Sequence, residues 1–234
     1  MATENRAHAD AYEHDGGHHH RDVSGGWLRP AVFGAMDGLV TNVSLIAGVS
    51  GGHLSQHTIV LTGLAGLAAG AFSMAAGEYV SVSSQNELVQ AEVDKERLEL
   101  ERNAAAEQAE LAGMLRARGV SAATARQAAA EISAHPEKAL AVHALEELGV
   151  DPGELPSPLV AAGASLASFA VGALIPLLPY LFGLDVLGLA LGLAAVAAVV
   201  GGGIVARLTA RPFWRGALRQ LLLGACAAGM GSPT

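Results

Sequence analysis

One cysteine, Cys226, stands in the chain, and it lies in an apolar run. That excludes an intrachain disulfide and leaves a small packed side chain. Aromatic residues make up only 4%, too few for a base-stacking surface, and the net charge of -8 argues against a nucleic-acid partner. Charge of either sign is scarce at 15%, against about 25% in ordinary soluble domains. The scarcity is local. From Ser157 through Ala206 the only charge is Asp185, whereas residues 82–156 hold fourteen acids and seven bases. The chain therefore reads as a membrane protein with one polar insertion. No Walker A motif and no dinucleotide fingerprint in strand–helix context is present, and no enzyme activity or prosthetic group is expected.

Residues 1–26 are polar and carry His8, His14 and His18 to His20. They read as a disordered tail; such a tail can bind metal, but a solvated segment is the plainer reading. No signal peptide is visible, so the first apolar block is expected to act as the insertion signal and to remain in the membrane. Spans are expected at about 29–50, 58–82, 157–183, 185–206 and 213–230, each near the 20 residues that cross a bilayer core. The fifth is the weakest, because Arg215 and Arg219 must snorkel to its near end. The expected architecture is all-α: transmembrane helices 1–2 in 27–82, a helical insertion in 83–156, and helices 3–5 in 157–231.

Arg21 and Arg29 precede the first span, and Arg207, Arg211, Arg215 and Arg219 cluster around the link between the fourth and fifth. With five spans both groups fall on one side, the cytoplasm by the positive-inside rule, together with the insertion. The short links on the other side contain no Lys or Arg. Within the insertion, strong helix formers predict one helix continuing from the second span to about Arg102. Others are expected over about 105–118, from an N-cap at Ser121 to about 134, and from Pro136 to Leu148.

Two E-x-x-E pairs, Glu96/Glu99 and Glu107/Glu110, dominate the insertion. They share one side of an ideal helix, yet Glu96 and Glu110 would stand roughly 21 Å apart along it. One straight helix cannot gather them on one ion; a break near Asn103 would fold the second pair back. His143 and Glu147, at i and i+4, form a further one-face pair. Carboxylates with one imidazole suit Fe(II), Mn(II), Co(II) or Zn(II). A solvated acidic face is the plainer reading of the glutamates taken alone. Inside the membrane, Asp37 is the only interior charge of the first span and Glu78 of the second, with Met74 on the face of Glu78. A carboxylate at the middle of a span costs about 2.5–3.5 kcal/mol to insert, so it commonly faces a wet path or a bundle interior.

The stretches GAMDGLVTNVSLIAGVSGG and GAFSMAAGEYVSVSSQNEL, with the 3-8-3 spacing of the glutamates, resemble the vacuolar iron transporter family, over about residues 25–230. The resemblance implies a five-span homodimer in the inner cell membrane that moves Fe(II), and often Mn(II), out of the cytoplasm in exchange for protons. It implies Glu96, Glu99, Glu107, Glu110 and Glu147 as ligands of a cytoplasmic domain, and Asp37 and Met74 as ligands of the translocation path near the dimer axis. Plant-type members carry methionine where this chain has His143, a harder ligand, so the choice of metal is expected to differ. A lone Asp37/Met74 set offers too few ligands for a divalent ion, and a two-fold axis doubles it. Protonation of Asp37 or Glu78 would drive release. The alternative is a membrane-anchored metal-binding or sensing protein that transports nothing.

Overall fold

The computed structural model describes residues 26–208 apart from 53, together with 212, 214 and 218. The tail and most of the expected fifth span lie outside the described residues. Within them every regular element is helical. The helices are α1 (Leu28–Gly51), α2 (Gln56–Arg102), α3 (Ala104–Ala117), α4 (Ala122–Ser133), α5 (Pro136–His143), α6 (Pro158–Leu181) and α7 (Leu187–Leu208), with a π-helical turn at Ala144–Leu148 directly after α5. Four of them, α1, α2, α6 and α7, are long and apolar enough to cross a membrane.

The four long helices pack around α6, which lies against both α1 and α2, while α7 covers α1 and α6. Small residues permit the close approach of α1 and α6. A Cβ on Gly38 would collide with the Phe169 carbonyl, and one on Gly172 with that of Ala35. Lipid gives no hydrophobic drive between helices, so this contact rests on van der Waals packing at short separation. Phe169, Ala173, Leu177 and Tyr180 form the buried seam of α6. At the ends of α1 and α2 remote from the insertion, Gln56 Nε2 donates to the Tyr180 carbonyl at 2.6 Å and Ser50 Oγ lies 3.3 Å from the Tyr180 hydroxyl.

Helix α2 has 47 residues, about 70 Å at 1.5 Å per residue, against a hydrocarbon core of about 30 Å. One continuous helix thus joins the second span to the insertion. It ends at Asn103, whose φ of -131° breaks the helix. The Asn103 carbonyl then accepts from the amides of Ala106 and Glu107 and opens α3, so the helix breaks at a single residue, where the glutamate spacing placed a break. Ser121 caps α4 by accepting from the Thr124 amide, and Ser157 caps α6 by accepting from the Val160 amide. The expected fourth helix of the insertion is two pieces, α5 and the π turn. The turn closes on Gly149 in the left-handed conformation (φ 68°), which glycine adopts without strain. Asn86 Nδ2 donates to the Pro156 carbonyl at 2.9 Å, tying the end of the insertion back to α2.

Candidate metal centre

Each helix of the insertion buries one face, and the periodicity of that face decides which acids turn inward. On α2 the stripe is Val89, Val93, Glu96 and Leu100. Val93 packs with Leu140 and Ala144, flanked by Val89 and Leu100. Glu96 sits in register with these apolar residues and is 7% exposed. On α3, Glu107 lies one turn before the fully buried Leu111 and is also 7% exposed. On α5, His143 follows Ala139 and Leu140 inward and has no solvent exposure.

These helices bring Glu96, Glu107, His143 and Glu147 together, with one ligand atom from each lying within 4.8 Å of all the others. His143 Nδ1 is the hub, with Glu96 Oε1 at 2.9 Å, Glu147 Oε1 at 3.1 Å and Glu107 Oε2 at 3.9 Å. An imidazole nitrogen offers either one proton or one lone pair, so it cannot satisfy three carboxylates. The aligned hydrogen bond goes to Glu147. Glu96 Oε1 is close but out of line, and it is left buried without a hydrogen bond, as is His143 Nε2. An orphaned carboxylate oxygen beside two more carboxylates is what a cation satisfies. Ligands across a first-row ion or Ca²⁺ stand about 4 to 5 Å apart, so small side-chain shifts would close this set on one ion. Three carboxylates and one imidazole without thiolate favour first-row divalent ions over soft ones.

Burial first, and then the neighbouring Glu147 carboxylate, pushes the Glu96 carboxyl above its ordinary value, with His143 opposing. Burial and then Glu110 do the same to Glu107, again opposed by His143. Two carboxyls with raised values hold their protons better folded than unfolded. They therefore favour the metal-free fold below the ordinary glutamate value of 4.5 and withdraw that support as pH rises through their folded values. Metal binding reverses the trend, because the ion needs both groups ionised. Amide protection around Glu96, Glu107 and His143, measured relative to the intrinsic exchange rate at each pH, should thus fall from pH 4.5 towards neutral without metal, and saturating Mn²⁺ should raise it near pH 7 but not near pH 4.5. Equal protection by Mn²⁺ at both pH values would contradict this.

The remaining expected residues lie elsewhere. Glu99 and Glu110 are exposed and stand outside the four-residue set, yet their charges reach Glu107. Asp37, Met74 and Glu78 are half-buried along α1 and α2. Met74 packs against the Ala71, Phe169 and Ala173 cluster. Two features escaped the sequence reading. Asn42 is fully buried in α1 and donates from Nδ2 to the Ala173 carbonyl at 2.6 Å; its signal was an amide inside an apolar run. Glu146 pairs with Arg118 at 2.9 Å, and nothing in the spacing of residues so far apart announces that contact.

Comparison with known proteins gives matches along most of the chain. The VIT family matches residues 28–232. The chain is 37% identical over 218 residues to a protein of Acanthamoeba castellanii named vacuolar iron transporter, covering 90% of this chain and 79% of that one. It is 32% identical over 201 residues to vacuolar iron transporter homolog 1 of Arabidopsis thaliana, covering 85% and 76%. Against vacuolar iron transporter homolog 1 of Oryza sativa subsp. japonica the identity is 37% over 152 residues, about half (47%) of that protein's length.

Proposed function

This chain belongs to the VIT family, and from that membership and the buried cluster we propose that it carries Fe(II) or Mn(II) out of the cytoplasm in exchange for protons. The observation that carries the metal reading is the orphaned Glu96 Oε1 among Glu107, Glu147 and His143. Relatives named vacuolar iron transporter support iron as cargo. In this reading the insertion faces the cytoplasm. Glu99 and Glu110, exposed beside the cluster, raise the local concentration of cations, and Glu96, Glu107, His143 and Glu147 hold the ion. Helix α2 is the mechanical link, since Glu96 lies about 27 Å along it from Glu78.

Inside the membrane the ion passes along Asp37 and Met74. Asp37 lies on the side of α1 away from its buried face, about half a turn of the ideal helix from Ile46. A path there has a wall on one side only. A second copy related by a two-fold axis supplies the other wall and doubles the ligands, which supports a homodimer with five spans per protomer. Protonation of Asp37 or Glu78 from the acidic side weakens metal binding and lets the ion leave.

The test is Mn²⁺ entry into proteoliposomes with an imposed pH gradient, acidic inside. Entry that follows the gradient and stops when it is collapsed is the expected result. Metal binding without any flux would instead identify a membrane-anchored metal-binding protein.

A further inference from the structure

Among the described residues three Lys/Arg–carboxylate pairs occur. Lys95–Glu92 and Arg97–Asp94 are local i,i+3 pairs on the exposed side of α2. The third, Arg118 Nε to Glu146 Oε2 at 2.9 Å, joins segments distant in sequence. Arg118 is the C-cap of α3, whose first turn carries Glu107. Glu146 lies in the π turn beside Glu147. Glu107 and Arg118 are about 16 Å apart along α3, so α3 meets the two adjacent glutamates of the π turn at well-separated points. Glu147 goes to the metal centre and Glu146 to the far end of the helix.

A π turn has poorer hydrogen-bond geometry than α-helix and survives where its surroundings hold it. The Ala144 carbonyl accepts from the Gly149 amide and, at 3.5 Å, from that of Val150. His143 and Glu147, at i and i+4, share a face in either winding, so what the surroundings must fix is how the turn as a whole sits against α3. The Glu146 side chain is only 12% exposed, whereas that of Arg118 is 65% exposed. A half-exposed pair adds little to overall stability, so its consequence is geometric.

We propose that the Arg118–Glu146 pair holds the π turn against α3 so that Glu147 and His143 meet Glu107, which makes Arg118 a positioning residue for the metal centre that never touches the ion. The proposal rests on the metal reading of the Glu96, Glu107, His143 and Glu147 cluster. It implies that ions are gripped fully only when the end of α3 is latched to the π turn, and that Arg118 controls the placement of Glu107, the ligand on α3.

The test is titration of the full chain in detergent micelles with Co²⁺, whose visible absorption reports the number and kind of ligands. The His143→Ala protein serves as the blank, so signals from the tail and the spans cancel. Arg118→Gln should weaken binding about tenfold, the usual effect of losing an outer partner of a ligand, and should change the spectrum. Arg118→Gln combined with Glu107→Gln should bind no worse than Glu107→Gln alone, because both act through one ligand. The exchange Arg118→Glu with Glu146→Arg should restore affinity and spectrum. Wild-type affinity and spectrum in Arg118→Gln, or losses that add in the double variant, overturn the proposal. If Arg118→Gln loses helicity by circular dichroism, the exchange variant decides: folded with wild-type binding supports the latch, folded with weak binding overturns it. A wild-type chain with no His143-dependent Co²⁺ signal defeats the metal reading and the latch with it, an outcome distinct from failure of the latch alone.

Discussion

Asp37→Ala should reduce divalent-metal flux in proteoliposomes to the level of protein-free vesicles, while the insertion keeps its Mn²⁺ affinity. Beyond Arg29, Asp37 is the only charge in α1. Its carboxylate disfavours membrane insertion by about 2.5–3.5 kcal/mol, so its presence asks for a reason other than stability. The buried residues of α1 are Pro30, Gly34, Gly38, Leu39, Asn42, Val43 and Ile46, and the half-buried Asp37 is not among them. Replacing the carboxylate by a methyl group removes an unfavourable charge and leaves that packing intact. The variant should therefore insert and fold at least as well as the wild type, which separates lost transport from lost structure. Asp37→Glu, with the same charge on a longer arm, should retain part of the flux. Wild-type flux in Asp37→Ala would remove Asp37 from the path, and loss of Mn²⁺ binding by the insertion in that variant would show that the two sites are not separate.

The second large effect is expected at His143. His143→Ala deletes the atom on which three carboxylates converge and leaves Glu96, Glu107 and Glu147 facing one another without their shared partner. Mn²⁺ affinity of the full chain by calorimetry should fall on the order of 100-fold, about 2.8 kcal/mol. Because the imidazole is the one neighbour holding the Glu96 and Glu107 carboxyls down, its removal should raise both further and make the residual binding more sensitive to acid. His143→Met keeps a ligand but exchanges imidazole for a softer thioether, and should shift preference from Mn²⁺ towards Fe²⁺ or Co²⁺. Flux at saturating Mn²⁺ should persist in His143→Ala with a raised half-saturation, since the path in the spans is untouched. Unchanged Mn²⁺ affinity in His143→Ala would sink the cluster as a metal centre.

The 3-8-3 glutamate spacing treated four residues as equals, and the structure separates them. What separates them was already written in the chain. Glu96 falls at the helical positions shared by Val89, Val93 and Leu100, and Glu107 stands one turn before Leu111, whereas Glu99 and Glu110 fall off those stripes. Helical register against the apolar residues, rather than spacing between acids, is the signal that sorts a buried carboxylate from a surface charge. The reversal at Asn103 and the pairing of His143 with Glu147 could be anticipated, because a straight helix cannot bring distant carboxylates to one point and an i,i+4 pair meets on one face. The π turn could not. Its sequence, Ala144 to Leu148, is ordinary helix-forming composition, and nothing in it marks the wider winding that closes on Gly149.

Local rules determined much of this protein by themselves. Long uncharged runs fix where helices can lie in lipid, because a backbone without water must bond to itself, and caps, glycines and a proline fix where the helices of the insertion begin and end. Those rules act over a few residues and are legible in a few residues. The convergence of Glu96 and Glu107 on His143 Nδ1 was decided by tertiary structure alone. So were the collision-tight seam of Gly38 and Gly172 and the reach of Arg118 across to Glu146. Each depends on how far apart two helices settle and at what rotation, a property of the packed whole that no single segment carries.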